Sequence, residues 1–390
     1  MTRPISVLHA RVVTGSGGGP DKTVLRSAAY LPYARFDVAA AYLHPKGDPG
    51  VARLWDTAHA QGMPLVSIPE RGAIDRRALR QLIDLCRRRR VDIWHSHDYK
   101  TDVLGLLIRR KCPGIKLVST VHGFTRENLK TRFYARLNGL ALRHYNHIFA
   151  VSPALLRHCV MRGVHPDRLS YLPNAIELAK YPIRSRSEKQ HARQAFGLSD
   201  RHAPAIAVLG RLSAEKGTDR SIRLFADVRK AHPRATLHLI GNGPERGRLE
   251  SVAQSLGVAD GVTFHGWSVD PVPLLRAMDL LLSTSHREGM PNTLLEAMAI
   301  GVPIAATAVG GVPEMLDHGA CGALLQGSNI TAWTTPVSDL LTPTPQRAAN
   351  TLNARSRVES HYAFDARMLR IQKRYEILSD HATLKGKRAA

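Results

Sequence analysis

Apolar residues fall along this chain in short unbroken runs, separated by longer stretches where they recur at helical spacing. In the first half the runs are Ile5–His9, Asp37–Tyr42, Leu65–Ile68, Ile93–His97, Lys116–Val121, His147–Val151 and Leu169–Leu172. Between them lie helical patterns such as Lys22–Leu31, Arg76–Arg90 and Asp102–Arg110. Runs without polar alternation are strands buried on both faces, so this half predicts a parallel sheet covered by helices. The alternation lapses over a polar stretch carrying Pro173 and Pro182, with a short helix expected at Glu188–Phe196, and then restarts. The second set of strands is Ala205–Gly210, Thr236–Gly241, Val262–His265, Leu280–Ser283, Pro303–Ala306 and Ala323–Leu325. A last helix, His361–Leu378, has an apolar face of Phe364, Met368, Ile371, Tyr375 and Leu378, and should dock rather than dangle.

The pattern therefore divides the chain into two doubly wound α/β domains, 1–175 and 204–360, joined by a linker over 176–203. The final helix occupies 361–380, and 381–390 is expected to be a disordered tail. At 390 residues there is room for two ordinary domains. No apolar run approaches the ~20 residues that span a bilayer. Ile5–Ala10 is too short and too interrupted for a signal peptide, so a cytoplasmic protein is expected. Cys86, Cys112, Cys159 and Cys321 are scattered, which excludes a disulfide framework and a CxxC zinc site.

Charge changes the picture. The formal net charge is +23, of which +16 lies in residues 1–180 and +7 in 181–390. Arg87–Arg90, Arg109–Lys111 and the segment from Arg126 to Arg143 carry much of it. Such a field draws polyanions: nucleic acid, or an anionic membrane leaflet. The basic runs lack an interleaved aromatic platform, so no nucleic acid is expected. Arg126–Arg143 instead spaces Leu129, Phe133, Tyr134, Leu137 and Leu140 between its charges, as an interfacial amphipathic helix would. Peripheral binding to the inner face of a membrane is the resulting expectation, beside the plainer one of a solvated basic face.

Candidate chemistry concentrates in Glu288-Gly289-Met290-Pro291-Asn292-Thr293-Leu294-Leu295-Glu296. Asn292 is the expected N-cap of a helix carrying Glu296 one turn in, with Glu288 on the entering loop. Free N–H groups at that helix start suit a phosphate, and flanking acids suit hydroxyls. A nucleotide sugar satisfies both; an arbitrary pair of glutamates reads better as solvated acids, and it is the rest of the second half that favours the functional reading here. The turn Gly210-Arg211-Leu212-Ser213-Ala214-Glu215-Lys216-Gly217 follows a strand and adds two cations at the carboxyl end of a sheet. The first turn, Gly15-Ser16-Gly17-Gly18-Gly19-Pro20, fails both the Walker A and the dinucleotide patterns, yet its glycines permit close backbone approach. His122 stands before Gly123 at a strand end, and His95-Ser96-His97-Asp98 lacks the carboxylate set of a metal centre.

In sequence, Gly210–Gly217, Ile240-Gly241-Asn242-Gly243-Pro244, Phe264-His265-Gly266-Trp267, the paired glutamates and Gly310-Gly311-Val312-Pro313-Glu314 closely resemble the nucleotide-binding half of retaining glycosyltransferase family 4. The first glycine turn, Val121-His122-Gly123, Val151-Ser152 and Leu172-Pro173-Asn174 resemble its acceptor half. The resemblance implies a GT-B fold: two Rossmann-like domains facing a cleft, with the last helix crossing back to the first domain. It implies that Arg211 and Lys216 bind the donor diphosphate, that Glu296 holds the ribose hydroxyls, and that Glu288 with Gly289, Met290 and Pro291 meets the sugar. His122 would reach the sugar from the other domain, and Gly18 and Gly19 of the first turn are donor-binding candidates. Pro20-Asp21-Lys22 departs from the acid that follows Gly-Gly in many members.

The implied reaction is metal-independent transfer with retention, from a nucleoside diphosphate sugar with UDP favoured, needing no cofactor. A glycan or polyprenyl-linked acceptor of polysaccharide or cell-envelope synthesis is expected. Leaving-group charge would be met by Arg211, Lys216 and the helix start. The alternatives are an epimerase or hydrolase of nucleotide sugars on the same fold, or a non-enzymatic basic binder of membrane or nucleic acid.

Overall fold

The computed structural model describes residues 3–15, 17–72, 75–123, 137–198, 203–268 and 270–386, with backbone alone from 381. They form two compact units, 1–174 with 365–390, and 175–364. Each is built on one parallel sheet whose strand order reverses once, the Rossmann-like pattern of the GT-B class.

The first unit's strands are β1 (Ile5–Val12), β2 (Phe36–Pro45), β3 (Leu65–Glu70), β4 (Ile93–Ser96), β5 (Lys116–Val121), β6 (His147–Ala150) and β7 (Leu169–Tyr171). Their order is β3-β2-β1-β4-β5-β6-β7, so the reversal falls between β1 and β4. There Val7 pairs with Ile93 and His9 with His95. Helices Gly19–Arg26, Val51–Ala60, Arg76–Arg88, Tyr99–Lys111 and Pro153–Met161 connect the strands. Asp75 and Asp98 cap two of them by accepting first-turn N–H groups. Trp94 is fully buried and donates to the Thr101 carbonyl at 3.2 Å. The terminal helix packs here too: Arg367 donates to the Leu172 carbonyl at 2.9 Å, and the Tyr375 hydroxyl lies 2.5 Å from His95 Nδ1.

The second unit's strands are β8 (Ala205–Leu209), β9 (Thr236–Ile240), β10 (Val262–Gly266), β11 (Leu280–Ser283), β12 (Ile304–Thr307) and β13 (Ala323–Leu325). In the order β10-β9-β8-β11-β12-β13 the reversal falls between β8 and β11. Ile206, Phe225, Leu237, Leu280, Trp333 and Val337 belong to one buried apolar cluster under this sheet.

Two expectations change, and a third lies largely outside the described residues. The stretch read as a linker, 176–203, belongs to the second unit in its described part. Its helix, Arg186–Ala195, brings Arg193 to 3.0 Å from Asp279, and Lys189 bonds the same carboxylate. A polar segment whose charges are met by tertiary partners has no apolar period to betray it. The final helix begins at Phe364, after a separate helix Pro345–His361, and its backbone continues to Gly386 where a disordered tail was expected. Residues 126–136 of the amphipathic expectation over Arg126–Arg143 lie outside the described residues, while its described part is helical over 137–142 with Leu137 and Leu140 exposed.

Candidate active site

In the second unit, the turns leaving β8 and β11 meet at the strand-order reversal, where doubly wound sheets bind ligands. The β8 turn is pressed against the β9 turn: Leu212 N donates to Asn242 O at 3.0 Å. A Cβ on Gly241 would sit 1.9 Å from the Gly210 carbonyl, so only glycine permits this approach. Gly217 ends the turn at φ 58° and starts the helix Thr218–Ala231. Thr284, buried after β11, donates to the Gly217 carbonyl at 2.7 Å. His286 N donates to Glu215 O at 2.8 Å, tying the two turns together.

That arrangement delivers Lys216 Nζ to 2.7 Å from Glu288 Oε1, with Glu288 9% exposed and Lys216 29%. Ser285 Oγ donates to the same oxygen at 2.7 Å. Gly310 (φ 60°) supports Glu288 from behind, since a Cβ there would lie 1.8 Å from the Glu288 carbonyl. Gly311 N donates to Gly289 O at 2.9 Å. Met290 and Pro291 are buried, and the helix Asn292–Ile300 follows. Pro291, not Asn292, holds the N-cap position, and no side chain caps it. Proline there fixes the chain's entry, and its φ/ψ are extended as a cap requires. Leu294 N donates to Pro291 O at 3.2 Å within this first turn, and the N–H groups and positive dipole end of a helix start suit a phosphate. Glu296 lies within this helix at 2% exposure. Arg211 is exposed at the head of the β8 turn.

The first unit holds the remaining three predicted positions, Gly18, Gly19 and His122. Gly18 is the extended N-cap of the helix Gly19–Arg26, and its N–H donates to Asp21 Oδ2 at 2.6 Å. Asp21 is buried and paired with Arg11 at 2.7 Å. The acid whose position departs from the family pattern therefore anchors the turn. His122 follows β5, half-buried, with Nε2 3.3 Å from His97 Nδ1. His97 Nε2 is in turn 2.9 Å from His9 Nδ1, and His9 Nε2 is 3.2 Å from Ser27 Oγ. Burial pushes His9 down to about 3, and burial with neighbouring rings and the Arg11 and Arg367 charges holds His95, His97 and His122 well below the ordinary imidazole range.

His9, His95 and His97 bring one ring nitrogen each within 4.8 Å of one another, a spacing open to a metal ion. The donor set argues otherwise. Both nitrogens of His95 are engaged, by Tyr375 and Thr120, as are both of His9 and both of His97. An ion would have to displace several of these bonds. Sequence reading named His95 and His97 but missed His9 and Ser27, whose link to them exists only across β1 and β4. It also missed Ser285, which the loop between β11 and Glu288 could have suggested.

A family model described as glycosyl transferases group 1 matches residues 190–357, and one described as glycosyl transferase 4-like domain matches residues 18–175. The GDP-mannose-dependent alpha-(1-6)-phosphatidylinositol monomannoside mannosyltransferase of Mycolicibacterium smegmatis is 33% identical over 209 residues, 51% of this chain and 50% of that protein. The D-inositol 3-phosphate glycosyltransferase of Nocardia farcinica is 27% identical over 367 residues, 84% and 78% of the two chains. The chain thus spans about half the length of the first of these relatives. Among solved structures, Anabaena HepE in complex with UDP superposes with a TM-score of 0.81 at 19% identity, over 95% of this chain and 100% of that one. WaaG, described as a glycosyltransferase involved in lipopolysaccharide biosynthesis, gives 0.72 at 18% identity, over 96% and 99%. The order of motifs, the fold of both units and both family models agree: the chain belongs to the group 1 glycosyl transferases, glycosyltransferase family 4.

Proposed function

We propose that this protein transfers a glycosyl group, with retention, from a nucleoside diphosphate sugar to a hydroxyl of a lipid-linked or glycan acceptor. The observation that carries this reading is the meeting of Lys216 and Glu288 beside the uncapped start of the Asn292–Ile300 helix. A cation and a set of backbone donors there suit a diphosphate, and the buried carboxylate of Glu296 suits the hydroxyls of the attached ribose. Lys216 has three N–H bonds, of which Glu288 takes one, so it serves the diphosphate without leaving its carboxylate. As the bond to the anomeric carbon breaks, negative charge grows on the leaving phosphate. Fixed donors that need no reorganisation stabilise that charge, and this electrostatic term is the main catalytic contribution proposed. Arg211, on the same turn, adds a second cation, and Glu288 with the Gly289–Pro291 backbone takes the sugar. His122 is assigned to a sugar hydroxyl. No step in this scheme calls for a metal.

The donor base is left to measurement between two named candidates. Sequence reading favours UDP, whereas the mycobacterial relative is named for GDP-mannose. That relative's name, with its phosphatidylinositol mannoside, also supports a lipid-linked acceptor and work at an anionic membrane surface. No described helix is long and apolar enough to cross a membrane. A thermal-shift screen of UDP- and GDP-sugars tests the donor, since a ligand present at 100 times its Kd stabilises by about 2.7 kcal/mol. Absence of any shift across both series would refute the reading. Incubation with donor alone separates transfer from epimerisation, which needs no acceptor.

A further inference from the structure

The hydrogen-bonded row Ser27–His9–His97–His122 has a direction, and the direction follows from its first member. Ser27 Oγ lies 2.7 Å from the Val24 carbonyl. Two oxygens at that separation need a hydrogen between them, and a carbonyl has none to give. The single hydroxyl hydrogen of Ser27 is therefore spent on Val24. His9 Nε2, 3.2 Å from Ser27 Oγ, must then carry its own hydrogen and donate. A neutral imidazole has one N–H, which leaves His9 Nδ1 bare. The contact of 2.9 Å to His97 requires a hydrogen on His97 Nε2, so His97 Nδ1 is bare in turn. At 3.3 Å from it, His122 Nε2 donates. His122 Nδ1 is left as a bare lone pair, and it is buried with no hydrogen-bond partner among the described residues.

We infer that Ser27, His9 and His97 are positioning residues that fix the tautomer of His122, so that it offers Nδ1 as a hydrogen-bond acceptor for a hydroxyl group of the substrate. The ligand chemistry is specific. An acceptor lone pair selects an O–H donor and rejects a phosphate or carboxylate oxygen, which has only lone pairs to present. The inference rests on the proposed function in assigning that hydroxyl to a sugar, whereas the tautomer itself does not depend on it.

The row stays neutral because burial disfavours a charge on each of its three rings. The groups facing it are Arg11, which donates to the His97 carbonyl, Arg367 near His95, and His95 itself, stacked on His97 with centroids 4.4 Å apart. Asp21 and Asp98, the acids nearest Arg11, are occupied by Arg11, by backbone N–H groups and by Thr101. The Arg11 and Arg367 charges act on these rings from nearby, and each disfavours an imidazolium.

The test is nitrogen-15 NMR of the full chain labelled at histidine, with His122 signals assigned by their loss in His122→Asn. The wild type should show His122 as one tautomer, Nε2 protonated and Nδ1 not. His9→Leu removes the acceptor for His97 Nε2–H and should turn His122 into a mixture of tautomers. Ser27→Ala, a milder change, should act in the same direction and serves if His9→Leu does not fold. His97→Gln keeps one acceptor and one donor, so turnover lost in His97→Leu, about fivefold for one neutral hydrogen bond, should return in His97→Gln. A hydrogen on His122 Nδ1 in the wild type, or an unmoved tautomer in folded His9→Leu and Ser27→Ala, overturns the inference. Inactivity of the wild type with every donor, alongside the expected tautomer, would sink the proposed function and leave the row standing.

Discussion

Acid should destabilise the first unit between pH 7 and 5, because its sheet buries neutral histidines. His9 and His147 are held at about 3 by burial, and burial also holds His95 and His97 well below the ordinary imidazole range. In the unfolded chain each returns to about 6.5. A depressed pKa contributes stability that is complete above the unfolded value and is lost as pH falls toward the folded one. At pH 5 His9 and His147 are still neutral when folded but protonated when unfolded, which costs about 2 kcal/mol apiece at ~1.4 kcal/mol per pH unit. Together these two remove about 4 kcal/mol between pH 7 and 5, and His95 and His97 act in the same direction. Asp102 works against them. Burial raises its carboxyl to about 7, so its stabilising effect is present at low pH and lost as pH rises toward 7. Over the same interval it returns about 2 kcal/mol, because it is already half protonated at pH 7. A net loss of about 2 kcal/mol or more is a sizeable share of a domain's stability. For a unit of this size it should lower Tm by roughly 4–8 °C or more. Calorimetric melts at pH 7, 6 and 5 read the effect directly. Repetition at high salt separates it from repulsion within a chain of net charge +23, since salt screens exposed charge and leaves buried rings untouched. His147→Gln should recover about 2 kcal/mol of the loss. Equal Tm at pH 7 and 5, or an unaltered pH dependence in His147→Gln, would refute the reasoning.

Other outcomes follow from the second unit. Lys216→Ala should reduce transfer by about a hundredfold or more, the usual cost of one electrostatic contact to a leaving group, while circular dichroism stays native; wild-type turnover would remove its role. Gly310→Ala places a methyl on the Glu288 carbonyl, and should lower both Tm and donor affinity in a thermal-shift titration, unlike Gly247→Ala, whose Cβ meets nothing. Arg193→Leu leaves the Asp279 carboxylate with Lys189 and the Ala205 N–H and should cost about 3 kcal/mol by urea denaturation, as loss of a buried pair does. Sedimentation with phosphatidylserine vesicles should exceed that with phosphatidylcholine alone, and equal partition would speak against a membrane-facing basic surface.

The strands were legible because buried parallel strands must be apolar on both faces, and all thirteen fall on runs that stand out from their surroundings. The turn Gly210–Gly217 and the block Glu288–Glu296 were legible for a related reason: glycines and paired charges at strand ends have few structural uses. What escaped was whatever depends on partners distant in sequence. Arg184–Phe196 looks like a linker until Asp279 and the carbonyls of Arg276 and Met278 supply its partners. The Asn292 cap was misplaced by one residue, because side-chain propensity could not foresee that Pro291 would set the chain's entry.

Sequence by itself determined the two sheets, their sense, and which strand ends carry charge, since hydrophobic period and local turn chemistry act over neighbouring residues. Only the tertiary structure decided that Lys216 meets Glu288, and that Ser27, His9, His97 and His122 form one directed row. Those contacts join loops and strands up to 88 positions apart. Distances of that kind are set by strand order and register, and no local pattern in the chain encodes them.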